Sequence, residues 1–282
     1  MTRGLEPFAL AGGRLELGGV DLAELAEDLQ GRPAWLIGGD AALAALARAQ
    51  GRRRAVGVEV GAIGPPALLA LIARTGAWAS VASAHELKLA AQAGFSMRRV
   101  VVDAPVLDDG LILEALTARV GVLVRRGRRE AAAVRRVGAL MRLPLPAARG
   151  APPVVPPSTF ARCGGLLARL LAGPPRLVLD ALWEPPAAAS RKAAPRVVLG
   201  LRGPSASRGR RATLSGLTEA RPSPARLLGE VARGDWVVVA DPASLAVRPP
   251  HPAWPQPRDV LVHHGRWRLL DARPMPAELA AR

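Results

Sequence analysis

The sequence predicts an α/β protein with about six parallel strands, whose regular repetition points to an incomplete TIM-like (β/α) barrel as much as to an open sheet, followed by a small C-terminal antiparallel β domain. Three observations carry that expectation. In the first half, short apolar runs alternate with amphipathic helical stretches. Proline then becomes frequent, first in AARGAPPVVPPS (147–158) and again in EPPAAASRKAAP (184–195), which reads as a linker. Beyond the linker, strand-like runs separated by Gly and Pro turns replace the helical pattern. The boundary is placed near residue 190, giving a barrel-like domain over 1–190 and a β domain over 191–282.

The elements follow in order. PAWLIGG (33–39) reads as a strand, and DAALAALARA (40–49) as a helix opened by Asp40. AVGVEV (55–60) is a strand, and PALLALIART (66–75) a helix with proline at its start and Leu68, Leu69 and Ile72 on one face. WASVAS (78–83) is a strand, and HELKLAAQAGF (85–95) a helix that stops at Gly94. RVVVD (99–103) and VGVLV (120–124) are strands, each followed by a helix: DDGLILEAL (108–116) and the arginine-rich run to residue 136. ALMRL (139–143) is expected as a strand, FARCGGLLARLLAG (160–173) as a helix and PRLVLDALW (175–183) as a strand. PRVVLGL, GDWVVVAD and DVLVHHGRWRLLD form the closing β domain.

Half of the 282 residues are hydrophobic, enough for a sizeable core. No apolar stretch reaches membrane-spanning length, and MTRGLEPFALAGG lacks the apolar region of a signal peptide. The one cysteine, Cys163, makes no internal disulfide and fits a reducing compartment, so a cytoplasmic location is expected. The net charge is +16, and Lys88 and Lys192 are the only lysines. Arginine clusters at 52–54, 125–129 and 208–211 favour nonspecific contact with nucleic acid. With 3% aromatic residues there are few stacking platforms for specific binding.

Local patterns for chemistry are sparse. His263 and His264 adjoin in an expected strand, which would point them to opposite faces, so surface or structural roles are expected and no metal site. His85 and Glu86 open a helix. Gly38-Gly39-Asp40 reads as a turn and helix cap rather than a dinucleotide fingerprint. Cys163 is expected to pack in the interior. No nucleophile elbow is present.

The order of several short motifs resembles the fold-type III pyridoxal-phosphate (PLP)-dependent decarboxylases of ornithine, diaminopimelate and arginine. The strongest stretch runs from PALLALIART through WASVASAHELKLAAQAGF to RVVVDAPVLDDGLILEAL, and it resembles the family's helix, Asp-Val-Ala-Ser strand, Glu-Leu helix and next strand. GGRLELGGVDLAELAEDLQGRPAWLI resembles the opening, MRLPLP an arginine-bearing strand, STFARCGG a Ser-Lys-Phe-Gly element, and GDWVVVADPASL with PRDVLVHHGRWRLL the closing domain. The resemblance implies an alanine-racemase-like barrel, PLP chemistry in amino-acid metabolism, and dimers with sites at the subunit interface.

Departures from the pattern fall at the cofactor positions that the resemblance implies. Counting back from Pro66 puts Gly61 where the resemblance implies the Schiff-base lysine, or Val60 or Glu59 after a one- or two-residue slip, and none has an amine; Trp183 replaces a histidine that stacks on the cofactor, and Leu245 replaces a tyrosine. Two strand–helix units that carry the phosphate loop have no room, because each needs about 30 residues. Arg142 matches a family arginine near the cofactor and is a candidate anion or ligand contact. The expectation is therefore a decarboxylase-like pseudoenzyme without PLP, acting as a binding or regulatory subunit. Its partner would be a second copy or an active homologue, with no membrane. Residual or altered amino-acid decarboxylase-type chemistry is the alternative, and a gene product without a selected role is a third reading.

Overall fold

Glycine turns and side-chain caps set the start of the chain. The structure, a computed structural model, describes residues 6–30, 32–51, 55–63, 66–146, 151–156, 159–160, 163–172, 176–179, 196–201, 209–215, 223–240 and 258–270. β1 (Phe8–Ala11) and β2 (Arg14–Leu17) pair antiparallel, and β3 (Val20–Asp21) extends the meander. The connecting pairs Gly12-Gly13 and Gly18-Gly19 all have positive φ, which glycine adopts without steric cost. Asp21 starts α1 (Leu22–Asp28) by accepting a hydrogen bond from the Ala23 N–H at 2.8 Å. β4 (Ala34–Gly38) is buried along its whole length, and α2 (Gly39–Gln50) follows it.

A run of β/α units comes next. The strands are β5 (Gly57–Glu59), β6 (Trp78–Val81), β7 (Val100–Val102), β8 (Val122–Leu123) and β9 (Val154–Val155). Between them lie α3 (Val60–Ile63), α4 (Pro66–Arg74), α5 (Ala84–Gln92), α6 (Asp109–Thr117) and α7 (Arg128–Leu140). The strands form one parallel sheet in the order β8-β7-β6-β5-β9. Val100, Val101 and Val102 are all buried, the continuous apolar run of a strand covered on both faces. Leu68, Leu69 and Ile72 of α4 and Leu111, Ile112, Ala115 and Leu116 of α6 are buried at helical spacing. Each large side chain so buried contributes about 1.5–3 kcal/mol.

The last strands are β10 (Gly164–Ala172), β11 (Arg176–Leu179), β12 (Arg196–Gly200), β13 (Arg210–Ser215), β14 (Ser223–Leu228), β15 (Trp236–Ala240), β16 (Arg258–His263) and β17 (Arg266–Leu269). With β4 they make a nine-stranded mixed sheet in the order β11-β13-β14-β12-β15-β10-β4-β16-β17. A further β10–β11 pairing closes six of them into a ring. Leu36, Leu167, Leu199, Val238, Val260 and Val262 share a core with Leu15, Leu17, Leu22 and Leu25 from the N-terminal meander and helix. By contacts the chain divides into two compact units, Met1–Ala42 with Ser158–Arg282, and Leu43–Pro157.

The α/β class, the parallel sheet and the separate mostly antiparallel sheet agree with the sequence-based expectation. Several elements do not. The parallel sheet has five strands among the described residues, and β4 belongs to the other sheet. There β4 pairs antiparallel with β10 and parallel with β16, which satisfies both of its edges. The expected helix over 160–173 is mainly the strand β10. Gly164 and Gly165 explain the difference: a Cβ at Gly164 would lie 1.8 Å from the Leu36 carbonyl oxygen, and one at Gly165 2.7 Å from that of Val239. These glycines admit neighbouring backbones rather than end a helix. The expected strand over 139–143 is the end of α7 and its cap. The Leu143 N–H donates to the Gly138 carbonyl and the Arg142 N–H to that of Ala139, the paired bonds of a Schellman turn. The expected linker at 184–195, with the boundary near residue 190, lies outside the described residues.

Candidate functional site

In a parallel β/α array the chemistry gathers at the C-terminal strand ends, where the loops converge. In the unit Leu43–Pro157 those ends hold Gly61 after β5, Ser83 and Glu86 after β6, Asp103 after β7 and Arg126 after β8.

Ser83 caps α5, its hydroxyl accepting from the Glu86 N–H at 3.2 Å. That cap turns Glu86 back over the strand end, where its Oε2 accepts from the Ala82 N–H at 2.8 Å. The same carboxylate fills the space above Gly61. A Cβ built on Gly61 would sit 2.6 Å from Glu86 Oε1 and 3.0 Å from Cδ. Any side chain at position 61 therefore requires the Glu86 carboxylate to swing away. At the next strand ends, the Arg126 guanidinium donates to the Asp103 carboxylate and to the Ala104 carbonyl, and the Arg126 N–H donates to the Glu130 carboxylate. Both partners of the Arg126–Asp103 pair are partly exposed, so water screens it and it adds little stability.

Gly61, the position at which the sequence-based expectation looked for a Schiff-base lysine, carries no amine. Among the described residues, none presents an amine at these strand ends. Lys88 lies on the outer part of α5, exposed, with Nζ 3.2 Å from Glu114 Oε1 on α6. Lys192 lies outside the described residues, as do Trp183 and Leu245. Among the described residues, the strand ends offer two carboxylates that accept from backbone donors, Glu86 and Glu130, and the Asp103–Arg126 pair.

Arg142 is exposed and sits in the turn after α7 with φ 52°, not in a strand. A helix returning from β8 ends at the N-terminal side of the sheet, opposite the strand ends where sites form. Leu140, Met141 and Leu145 around it are exposed apolar side chains. The positive φ identifies Arg142 as the helix cap. His85 is exposed, and the carboxylate of its neighbour Glu86 is engaged as described. Cys163 is buried, as expected, with Sγ 3.4 Å from the Thr159 carbonyl oxygen.

The other unit, Met1–Ala42 with Ser158–Arg282, brings together three residues that sequence reasoning kept apart. β16 ends at His263, and His264 leaves the strand with φ 51°, followed by Gly265 at φ 66°. The turn breaks the alternation that would have placed the two rings on opposite faces. Instead they stack, with centroids 3.9 Å apart and planes at 29°. Asp40, in the first turn of α2, reaches both: its Oδ1 is 2.7 Å from His263 Nδ1 and 3.1 Å from His264 Nδ1. Its Oδ2 accepts from the His264 N–H at 2.8 Å. The His-His-Gly sequence before a strand was the available signal, since glycine after paired polar residues marks a hairpin turn.

No protein-family model matches the chain, and no curated protein sequence matches it. Solved structures do. A protein of Aquifex aeolicus superposes with a TM-score of 0.76 at 14% identity, covering 97% of each chain. Diaminopimelate decarboxylase from M. jannaschii gives 0.73 at 13% identity, over 98% of this chain and 97% of that one. Lysine/ornithine decarboxylase from Vibrio vulnificus, solved with putrescine, gives 0.62 at 12% identity, over 86% and 98%. At such identities the likeness is one of fold.

Proposed function

We propose that this chain, which has the fold of the fold-type III pyridoxal-phosphate-dependent decarboxylases, serves as a non-catalytic binding or regulatory subunit. The observation that supports the reading is at the end of β5. Gly61 has no side chain, and the Glu86 carboxylate occupies the space where one would grow. Without an amine at that strand end, the covalent hold on the cofactor is lost. Lys88 is turned to α6 and offers no substitute. The hydrophobic framework around the parallel sheet is intact, so the fold outlasts the chemistry. Fold and function separate readily, because function resides in a few grafted residues. The remaining role is association, with a second copy or with an active homologue, in amino-acid metabolism.

Titrating the purified protein with PLP, with light-scattering mass measured on the same sample, tests the proposal. The expected result is no borohydride-fixed covalent adduct and a mass of a dimer or larger. A stoichiometric adduct mapping to Lys88 or Lys192 would restore catalysis, and a monomer that binds no homologue would remove the subunit role. A second reading, altered amino-acid decarboxylase-type chemistry, draws on the charged groups Glu86, Asp103 and Arg126 at adjacent strand ends. It predicts CO2 release from an amino acid that is abolished by Glu86→Gln.

A further inference from the structure

We propose that Asp40, His263 and His264 form a binding site for a divalent transition-metal ion of the zinc type. The site lies in residues that the decarboxylase reading does not use, and the proposal stands independently of it.

The donor set comes first. Two imidazoles and one carboxylate suit zinc and its first-row neighbours, whereas calcium and magnesium select oxygen donors. The three ligand atoms lie within 4.8 Å of one another. In a tetrahedral zinc site with bonds of about 2.0–2.1 Å, neighbouring ligand atoms are about 3.3 Å apart. The Asp40–His263 and Asp40–His264 contacts of 2.7 and 3.1 Å are therefore slightly tighter than a loaded site. Admitting the ion needs a spread of about half an ångström, within reach of side-chain rotation. Three protein ligands leave one position for water.

A second observation points the same way. His263 Nδ1 is buried and makes no hydrogen bond, although Asp40 Oδ1 is 2.7 Å away. The contact is close but misdirected for an N–H donor. A buried ring nitrogen without a hydrogen bond is costly unless something else fills its in-plane position, and a metal ion does that.

The surroundings hold the ligands in place. The His264 N–H fixes Asp40 through Oδ2, leaving Oδ1 for the ion. The Gly265 N–H donates to the Gly18 carbonyl at 2.9 Å, tying the histidine turn to the β2–β3 turn. Gly18 closes the cluster from that side. A Cβ there would come within 3.3 Å of Asp40 Oδ2, at a φ of 54° that side chains disfavour.

Equilibrium dialysis of tag-free protein against zinc alone, with the bound metal quantified, provides the test. One zinc per chain is expected. His264→Ala removes an exposed ring and leaves the fold unchanged, and it should weaken binding at least about tenfold. His263→Gln and Asp40→Asn should do the same, while His85→Ala should bind like the parent. Circular dichroism of each variant separates ligand loss from unfolding. Cobalt(II) should give the intense ligand-field absorption of a four-coordinate site, absent in His264→Ala. Failure of the parent to bind zinc stoichiometrically, or binding retained by both His264→Ala and His263→Gln, would overturn the proposal.

Discussion

Replacing Gly61 by alanine asks whether Glu86 occupies the space above that glycine. The substitution has two opposing effects. Gly61 lies in the short helix α3, where alanine is favoured over glycine by about 0.5–1 kcal/mol. Against that, the new Cβ would meet Glu86 Oε1 at 2.6 Å, so the carboxylate must rotate and give up its bond to the Ala82 N–H. A hydrogen bond to a charged group contributes about 1.5–3 kcal/mol, and the partial exposure of Glu86 puts it at the low end. The net expectation for Gly61→Ala is a destabilisation of about 0.5–1 kcal/mol. In a Glu86→Ala background the clash is gone, and the same substitution should stabilise by about 0.5–1 kcal/mol. The coupling across the double-mutant cycle is therefore about 1.5 kcal/mol. Urea denaturation reads it as a shift of midpoint at constant slope. Equal effects of Gly61→Ala in both backgrounds would refute the reasoning, because the carboxylate would not then be in that space.

Two further outcomes follow from the local geometry. Arg142→Gly should raise stability by a few tenths to about 1 kcal/mol in the same assay, since glycine adopts the cap's positive φ without strain. A loss of stability would mean that the guanidinium makes a contact of its own. Asp21 gives a pH dependence. Burial raises its pKa, but hydrogen bonds from the Ala23 N–H and from Arg14 outweigh burial and leave it below the ordinary aspartate value. A depressed carboxylate stabilises fully above its unfolded pKa and loses that contribution as pH falls through the folded one. The stability difference between the parent and Asp21→Asn should therefore shrink as the pH falls below about 4. A constant difference down to acid would remove the ionic contribution.

The sequence was legible where one physical rule dominated. Short apolar runs such as Val100–Val102 announced a parallel sheet because helical stretches separate them. Pro66 marked the start of α4 and Gly94 the stop after α5. Legibility failed where tertiary contact overrode local preference. The run from Leu166 to Leu171 is rich in leucine and alanine, which favour helix, yet pairing with β4 and β15 makes it a strand. Nothing local says that Gly164 faces the Leu36 backbone. The candidate site eluded local reading in the same way. The carboxylate of Glu86 over Gly61 depends on the turn that brings it back across the strand end, which no local pattern announces. The meeting of Asp40 with His263 and His264 depends on a turn and on a pairing far away in the sequence.

That pairing has a temporal side. β4 and β16 lie side by side although the residues they match are 224 positions apart. At about 5–20 residues per second, a ribosome needs roughly 10–45 s to make the second strand after the first. During that interval an entirely apolar strand has one of its eventual neighbours missing, while the continuous stretch Leu43–Pro157 emerges between them. A nascent chain of this design carries an unpaired, sticky edge through most of its synthesis. It is the kind of client that a chaperone at the exit tunnel would engage early, and an arrested chain lacking β16 should be recovered bound to one.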